Sequence, residues 1–128
     1  MQRDMDLVRS ILLSIGAAEK PLVLKELLAD DAEQADYDRL VYHLSMLIDQ
    51  AGFVKGIPVH SFGGKNWLDL SLTWQGNEFL DSIRDPEIWK KTKAGAAKIG
   101  SSTIDVMVSV AKAIIQERMQ KLISGGLE

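Results

Sequence analysis

The stretch Ser71–Trp89, which reads SLTWQGNEFLDSIRDPEIW, decides the fold because a strand pattern gives way to a helix pattern within it. Up to Leu72, leucines at every second position alternate with polar residues, which is typical of a half-buried strand. Beyond Thr73, apolar residues recur at near-helical spacing, at Trp74, Phe79, Leu80 and Ile83. We therefore predict a strand that ends near Leu72 and a helix that begins at Trp74.

Four residues mark the boundaries inside this stretch. The Thr73 hydroxyl can accept a hydrogen bond from a free backbone N–H of the first helical turn. Gly76 costs a helix about 1 kcal/mol relative to alanine, so its presence indicates a close approach of another backbone. Asp85 and Pro86 end this helix and begin the next one. A strand that leads directly into a capped helix favours a two-stranded wing packed on helices; the alternative is an ordinary hairpin followed by a helix.

The chain before this stretch carries three apolar patterns with helical spacing and one extended segment. They predict helices at Arg3–Ile15, at Val23–Ala29 and at Tyr37–Gln50, with Gly16 ending the first and Asp36 capping the third. Phe53–Val59 has β character, and Pro58 makes it an edge strand because proline lacks a backbone donor. Phe62–Asn66 is a turn, so the order is helix, helix, helix, strand, turn, strand, helix.

The C-terminal part predicts a short helix at Pro86–Lys93, a Gly/Ala hinge at 94–101 and an amphipathic helix at 102–124 capped by Ser102. The predicted fold is mainly α with a small β-hairpin, a winged helix-turn-helix domain at 1–93 with a C-terminal helical extension. The last helix has a wide apolar stripe, so we expect a homodimer in which it pairs with its equivalent or packs over the first helix of a second chain. The alternative is packing on its own domain.

Composition limits the kinds of chemistry that the 128 residues can support. The absence of cysteine excludes disulfides and thiolate sites. Residues 1–83 hold seven Lys/Arg and thirteen Asp/Glu, a net charge of −6, whereas residues 84–128 hold eight and five, a net charge of +3. No segment approaches the roughly 20 apolar residues of a membrane span. The start does not resemble a signal peptide, so we expect a cytoplasmic protein without a membrane partner.

Catalytic, metal and cofactor sites are hard to build from these residues. His43 is a candidate base, but no motif places a nucleophile beside it, and a histidine bonded to backbone is the simpler interpretation. The acidic segment Asp30–Asp38 lacks the spacing of a calcium loop and is interpreted as a solvated face. We therefore expect no enzyme activity, no metal and no cofactor.

Binding of a macromolecule is the remaining class of function. In a winged helix the third helix and the wing meet the DNA, so Arg39, Tyr42, His43, Lys55 and Lys65 are candidate contacts there. The acidic residues around the start of that helix would repel phosphates, which disfavours DNA. A second candidate surface, for nucleic acid or for an acidic protein, is the basic cluster Lys90, Lys91 and Lys93; the alternative is a solvated helix face.

Three segments of the chain resemble a family of small phage and bacterial proteins known as domain of unknown function 2513. They are MQRDMDLVRSILLSI at Met1–Ile15, YHLSMLIDQAGFV at Tyr42–Val54 and LTWQGNEFLDSIRDPEIWKKTK at Leu72–Lys93. The third is the most specific, with its grouping of Trp74, Gly76, Phe79 and Trp89. The resemblance implies a winged-helix-like fold and a mobile-element origin, and it implies no activity.

The sequence therefore leads to two main hypotheses of function and to a minor third, an enzyme of unrecognised type. The first is a non-enzymatic phage or prophage accessory protein that acts by protein–protein interaction, with a partner of unknown identity. The alternative is a winged-helix transcriptional regulator that binds DNA. The two differ in electrostatics, because binding to DNA is steeply salt-dependent.

Overall fold

The computed structural model describes residues 1–61 and 63–125, and the chain divides into two compact units, Met1–Glu78 and Phe79–Glu128. Most described residues are helical, and the β-structure is one two-stranded antiparallel hairpin in the first unit. The predicted mainly α fold with a small β-hairpin is confirmed. The predicted domain limit at Lys93 falls inside a helix, and the assignment of residues 1–93 as one winged-helix domain stays a prediction.

The first unit contains two helices, a short 3₁₀ turn and the hairpin. Its elements are α1 (Met5–Ala17), a 3₁₀ turn (Leu24–Leu27), α2 (Gln34–Ser45) with a π-helical turn (Met46–Gln50), β1 (Val54–Ser61), β2 (Gly64–Leu72) and the start of α3 (Trp74–Ile83). The apolar stripe predicted for the first helix is buried at Val8, Ile11, Leu12 and Ile15. Gly16 does not end α1, which continues to Ala17 because a helix tolerates one interior glycine.

Helix α2 begins earlier than its apolar pattern suggests. Glu33 is the N-cap residue, and the Asp36 carboxylate accepts a hydrogen bond from the Glu33 backbone N–H at 3.0 Å. The predicted role of Asp36 as N-cap is therefore wrong; it is the third helical residue and bonds back to the cap, as in a capping box. The apolar residues Leu40, Leu44 and Leu47 are buried as predicted.

The hairpin pairs Val54 with Leu72 at its base and Ser61 with Gly64 at its tip, and Phe62, part of the predicted turn, lies outside the described residues. The register shifts between Lys55 and Ile57, where β2 carries an extra residue and Asp69 adopts a positive φ of 53°. Next to this bulge, Leu70 exchanges two backbone hydrogen bonds with Leu22, at 2.7 and 3.0 Å. The short extended piece before the 3₁₀ turn thus attaches to β2.

The base of the hairpin is closed by the N-terminus of α3. Thr73 donates its backbone N–H to the Phe53 carbonyl at 3.0 Å and its hydroxyl to the Gly52 carbonyl. The same hydroxyl accepts the Gly76 N–H at 3.1 Å, which confirms Thr73 as the N-cap. A Cβ on Gly76 would lie 1.9 Å from the Phe53 oxygen, so the close backbone approach inferred from this glycine is confirmed.

The second unit contains the end of α3, then α4 (Pro86–Ile99) and α5 (Ile104–Gly125). Asp85 caps α4 by accepting the N–H groups of Glu87 and Ile88, and Pro86 occupies the first helical position, as predicted. Helices α4 and α5 pack against each other and bury the side chains of Trp89, Thr92, Ala96, Met107 and Ala111.

Three local predictions in this part of the chain are wrong. Residues 94–99 are not a hinge but the last turns of α4, because alanine favours helix; the helix ends at Gly100, whose φ is 85°. Thr103, not Ser102, caps α5, since its hydroxyl accepts the Val106 N–H at 3.3 Å. Trp74, expected on the apolar side of α3, is 76% exposed because it lies at the first helical position.

Replacement of Gly76 by alanine should destabilise the protein by roughly 1–3 kcal/mol or more, because the new methyl group overlaps the Phe53 carbonyl. The matched control is Gly125→Ala, where nothing lies within 4 Å of the added Cβ. Urea denaturation of both variants measures the effect. Equal stability of Gly76→Ala and the parent protein would mean that α3 does not close the hairpin in this way.

Candidate functional site

His43 lies in the interior of the first unit with 0% of its surface exposed. Its Nε2 accepts the backbone N–H of Asp4 at 2.9 Å, and its Nδ1 lies 2.7 Å from the carbonyl oxygen of Arg39. Because an amide can only donate and a carbonyl can only accept, the ring is the neutral tautomer with its proton on Nδ1. The interpretation of His43 as a histidine bonded to backbone is confirmed, and its candidacy as an outward contact of the third helix is wrong.

Arg39 and Tyr42 remain at the surface of α2, but neither presents an unpaired positive charge. The Arg39 guanidinium forms an ion pair with the Asp4 carboxylate, which ties the start of α1 to the middle of α2. Tyr42 packs edge-on against His43, with ring centroids 5.1 Å apart. The outer surface of α2 is dominated by exposed carboxylates, those of Glu33, Asp36, Asp38 and Asp49.

The hairpin brings one of its two lysines to α2. The Lys65 Nζ lies 3.4 Å from the Ser45 hydroxyl and 5.3 Å from the centre of the Trp67 ring. The Lys65 carbonyl accepts a hydrogen bond from the Tyr37 hydroxyl, so the hairpin tip is fixed on α2. Lys55 is exposed and pairs with Ser71 near the base.

The predicted basic cluster lies on α4 in the second unit. Lys90 and Lys91 are exposed, whereas Lys93 is half-buried, with its Nζ 5.6 Å from the centre of the Trp89 ring. A lysine on an aromatic face keeps its charge, and its stem covers apolar surface. The cluster therefore presents two freely projecting lysines and one that also serves packing.

A groove of about 440 Å³ lies between α1, the 3₁₀ turn and the start of α2. Its floor is apolar and is formed by the side chains of Leu7, Ile11, Leu27, Leu28 and Leu40. Two exposed serines on one side of α1, Ser10 and Ser14, leave the space open because their side chains are small. A volume of this size lies in the range of ligand and anchor-residue pockets.

The rim of the groove is acidic. Asp31, Glu33 and Asp36 line it and are all exposed. The basic residue on the rim, Arg39, is already paired with Asp4. An apolar floor with an acidic rim suits an occupant that carries apolar side chains flanked by positive charge.

Sequence reasoning did not find this groove. The acidic segment is interpreted from the sequence as a solvated face, and the serines of α1 are assigned no role. A usable signal was present: Ser10 and Ser14 lie four residues apart beside the apolar positions Leu7 and Ile11, so they share a face of one helix. The neighbouring wall comes from the 3₁₀ turn, and no local pattern places that turn against α1.

Comparison with known proteins gives a family for this chain. The family model described as "Hypothetical protein (DUF2513)" matches residues 2–102. The chain belongs to the DUF2513 family. The match covers the groove, the hairpin and α4, and it ends before α5 begins. The resemblance inferred from the three sequence segments is thereby confirmed.

A relative described as "Uncharacterized protein", from Haemophilus influenzae, is 30% identical over 124 residues. The alignment covers 97% of this chain and 100% of the relative, so it extends beyond the family match into α5. No solved structure matches the chain significantly.

Two kinds of feature are absent from residues 1–61 and 63–125. No helix in this part of the chain combines the length and apolar character needed to cross a bilayer. The same residues contain no group of three or more His, Asp or Glu side chains arranged to hold a metal ion.

Replacement of His43 by phenylalanine should destabilise the protein, because the Asp4 N–H loses its acceptor and the ring no longer bonds to the Arg39 carbonyl. Each buried group left unpaired costs roughly 1–3 kcal/mol. His43→Gln, which can restore one of the two bonds, should cost less. Urea denaturation measures both, and Tyr42→Phe is the control, with an expected change within about 0.5 kcal/mol. An unchanged stability of His43→Phe would remove the structural role assigned to this ring.

Proposed function

We propose that this chain is a non-enzymatic accessory protein of a phage or prophage, which binds another protein through a winged-helix scaffold. The observation that carries the proposal is the groove between α1, the 3₁₀ turn and α2, with its apolar floor and acidic rim. The mobile-element origin rests on the resemblance of residues 1–93 to phage and bacterial proteins.

The order and pairing of the elements support the winged-helix assignment. Two helices with a short turn between them precede a hairpin, and a capped helix follows it. The hairpin tip contacts α2 through Tyr37 and Lys65, and the bridge between Leu22 and Leu70 attaches a third extended segment to β2. A wing folded beside the helix that precedes it is the arrangement of such domains.

The position of His43 supports a non-enzymatic role. Both ring nitrogens are engaged by backbone groups, and no part of the ring reaches solvent. A general base must come within hydrogen-bond distance of the proton that it removes. This candidate base therefore cannot reach a substrate without local unfolding.

The charges of the first unit support a protein partner over DNA. Arg39 is paired, Lys65 lies on Trp67 and Ser45, and the exposed surface of α2 is acidic. Duplex DNA gains most of its binding free energy from contacts between phosphates and basic side chains. A helix that presents carboxylates to phosphates loses this contribution, whereas a basic protein segment gains from the same carboxylates.

The groove also indicates the chemistry of its partner. Apolar side chains at i, i+3 and i+4 of a helix form a stripe that fits an elongated apolar floor. Lysine or arginine beside that stripe would meet Asp31, Glu33 and Asp36 on the rim. The partner is therefore an amphipathic helix with basic flanks.

A designed helical peptide with leucine on one face and lysine on the other should bind the chain. The double substitution Ser10→Arg and Ser14→Arg should weaken binding by roughly tenfold or more, because two long cationic side chains fill the groove and oppose the peptide. Fluorescence anisotropy of the labelled peptide provides the measurement.

Two controls separate this groove from non-specific attraction. Ser109→Arg makes the same substitution at an exposed helical position on α5 and should leave affinity unchanged. The same peptide with glutamate in place of lysine should bind more weakly. Equal affinity for the parent protein and the double arginine variant would contradict the proposed site.

Random duplex DNA tests the alternative, a winged-helix transcriptional regulator. We expect weak binding near physiological salt and a shallow dependence on salt, since each phosphate contact contributes a log–log slope of about −0.9. Any residual binding should depend on Lys90, Lys91 and Lys93, and it should be lost when all three are replaced by alanine. Tight, steeply salt-dependent binding that disappears in Arg39→Ala would instead establish a DNA-reading regulator.

A further inference from the structure

The C-terminal end of α5 is an apolar surface without cover in the described chain. Met119, Leu122 and Ile123 are 55%, 61% and 67% exposed. Their spacing of i, i+3 and i+4 places them on one side of the helix. Exposed apolar side chains are ordinary when scattered, whereas adjacent ones that form a contiguous patch are typical of interaction surfaces.

Packing within the second unit explains why this end is uncovered. Gly95 of α4 lies against Val110 of α5, and the Asp85 and Arg118 side chains approach to 3.9 Å, so the two helices run antiparallel. Arg118 is level with the residue that caps the start of α4. The residues of α5 beyond Arg118 therefore extend past the first residue of α4 and cannot pack on it.

We propose that this end of α5, residues 118–125, docks in the groove of a second copy of the chain. The proposal rests on the proposed function, because it names the occupant of the same groove. The stripe has the i, i+3, i+4 pattern of helix-in-groove recognition, and the floor is lined by leucine and isoleucine.

Charge favours this occupant. The end of α5 carries Arg118 and Lys121, which are exposed; Lys121 also pairs with Glu117 at 3.1 Å, so residues 117–125 have a net charge of +1. Asp31, Glu33 and Asp36 line the rim of the groove. Pairing of two α5 ends with each other would bring two basic segments together, so the charges favour the groove over the equivalent helix. Packing over the first helix of a second chain was one of the two arrangements predicted from the sequence.

The symmetry of the contacts determines which oligomer forms. Each chain carries both this groove and this α5 end, so two copies that dock reciprocally form a two-fold dimer with two identical contacts. One-way docking would leave a free groove and a free helix end and would produce open chains. A closed dimer is therefore the expected species in solution.

Analytical ultracentrifugation of three full-length proteins tests the contact. The parent chain should dimerise with rising concentration. A tail variant, Leu122→Gln with Ile123→Gln, and a groove variant, Ser10→Arg with Ser14→Arg, should each dimerise at least about tenfold more weakly. All four positions are exposed, and glutamine is a good helix former, so both variants should fold. The controls are Ile99→Gln, at another exposed apolar helix position, and Ser109→Arg.

A mixture of the two variants gives the decisive result. The tail variant retains an intact groove and the groove variant retains an intact tail, so together they should form a heterodimer held by one contact. Pairing of two α5 ends predicts instead that the groove variant dimerises alone and that mixing adds nothing. That result, or a parent chain that stays monomeric at high concentration, overturns the proposal.

The leucine–lysine peptide distinguishes failure of this inference from failure of the proposed function. If α5 of a second copy occupies the groove, it competes with the peptide. The tail variant should then bind the peptide more tightly than the parent chain does. A monomeric parent chain that binds the peptide through Ser10 and Ser14 would retain the groove as a site for another protein and reject the second copy. A chain that neither dimerises nor binds the peptide contradicts both.

Discussion

The fold of the first unit depends on the contacts that the Phe53 carbonyl oxygen makes with the start of α3. This oxygen accepts the Thr73 N–H at 3.0 Å and lies so close to the Gly76 backbone that no side chain fits between them. This contact joins the segment before β1 to the segment after β2, so it closes the hairpin at its base. The hairpin's other attachments, to Leu22 through Leu70 and to Tyr37 through Lys65, both lie on β2, the strand that this closure leads into α3.

Asp4 provides a second connection, between the start of α1 and the middle of α2. Its side chain caps α1 at Leu7 and pairs with Arg39, and its backbone N–H bonds to His43. These contacts pair the Arg39 cation, which stays at the surface of α2, and bury the His43 imidazole. The residues most suited to read DNA are thus engaged in holding α1, and the exposed carboxylates set the electrostatic character of that surface.

The sequence predicted best where the deciding physics is local. Thr73 and Asp85 are found as caps because a cap depends on residues within one turn. The outward position of His43 was wrong because helical period alone does not reveal that the Asp4 N–H supplies a buried partner for the ring. The groove was missed for the same reason, since its walls come from segments whose contacts are non-local. Contacts between segments distant in sequence were therefore less predictable than the presence of α1, α2, α3 and the hairpin.

The open groove itself argues for a binding role of the first unit. Larger apolar side chains at Ser10 and Ser14 would cover the leucine floor and add roughly 0.8 kcal/mol for each buried CH₂ group. The chain instead has two serines there, which leave apolar surface in contact with water. A site that gives up such stabilisation is expected where function requires an accessible surface. The exposed stripe at the end of α5 also leaves apolar surface in contact with water. Docking of the stripe in the groove would bury both apolar surfaces.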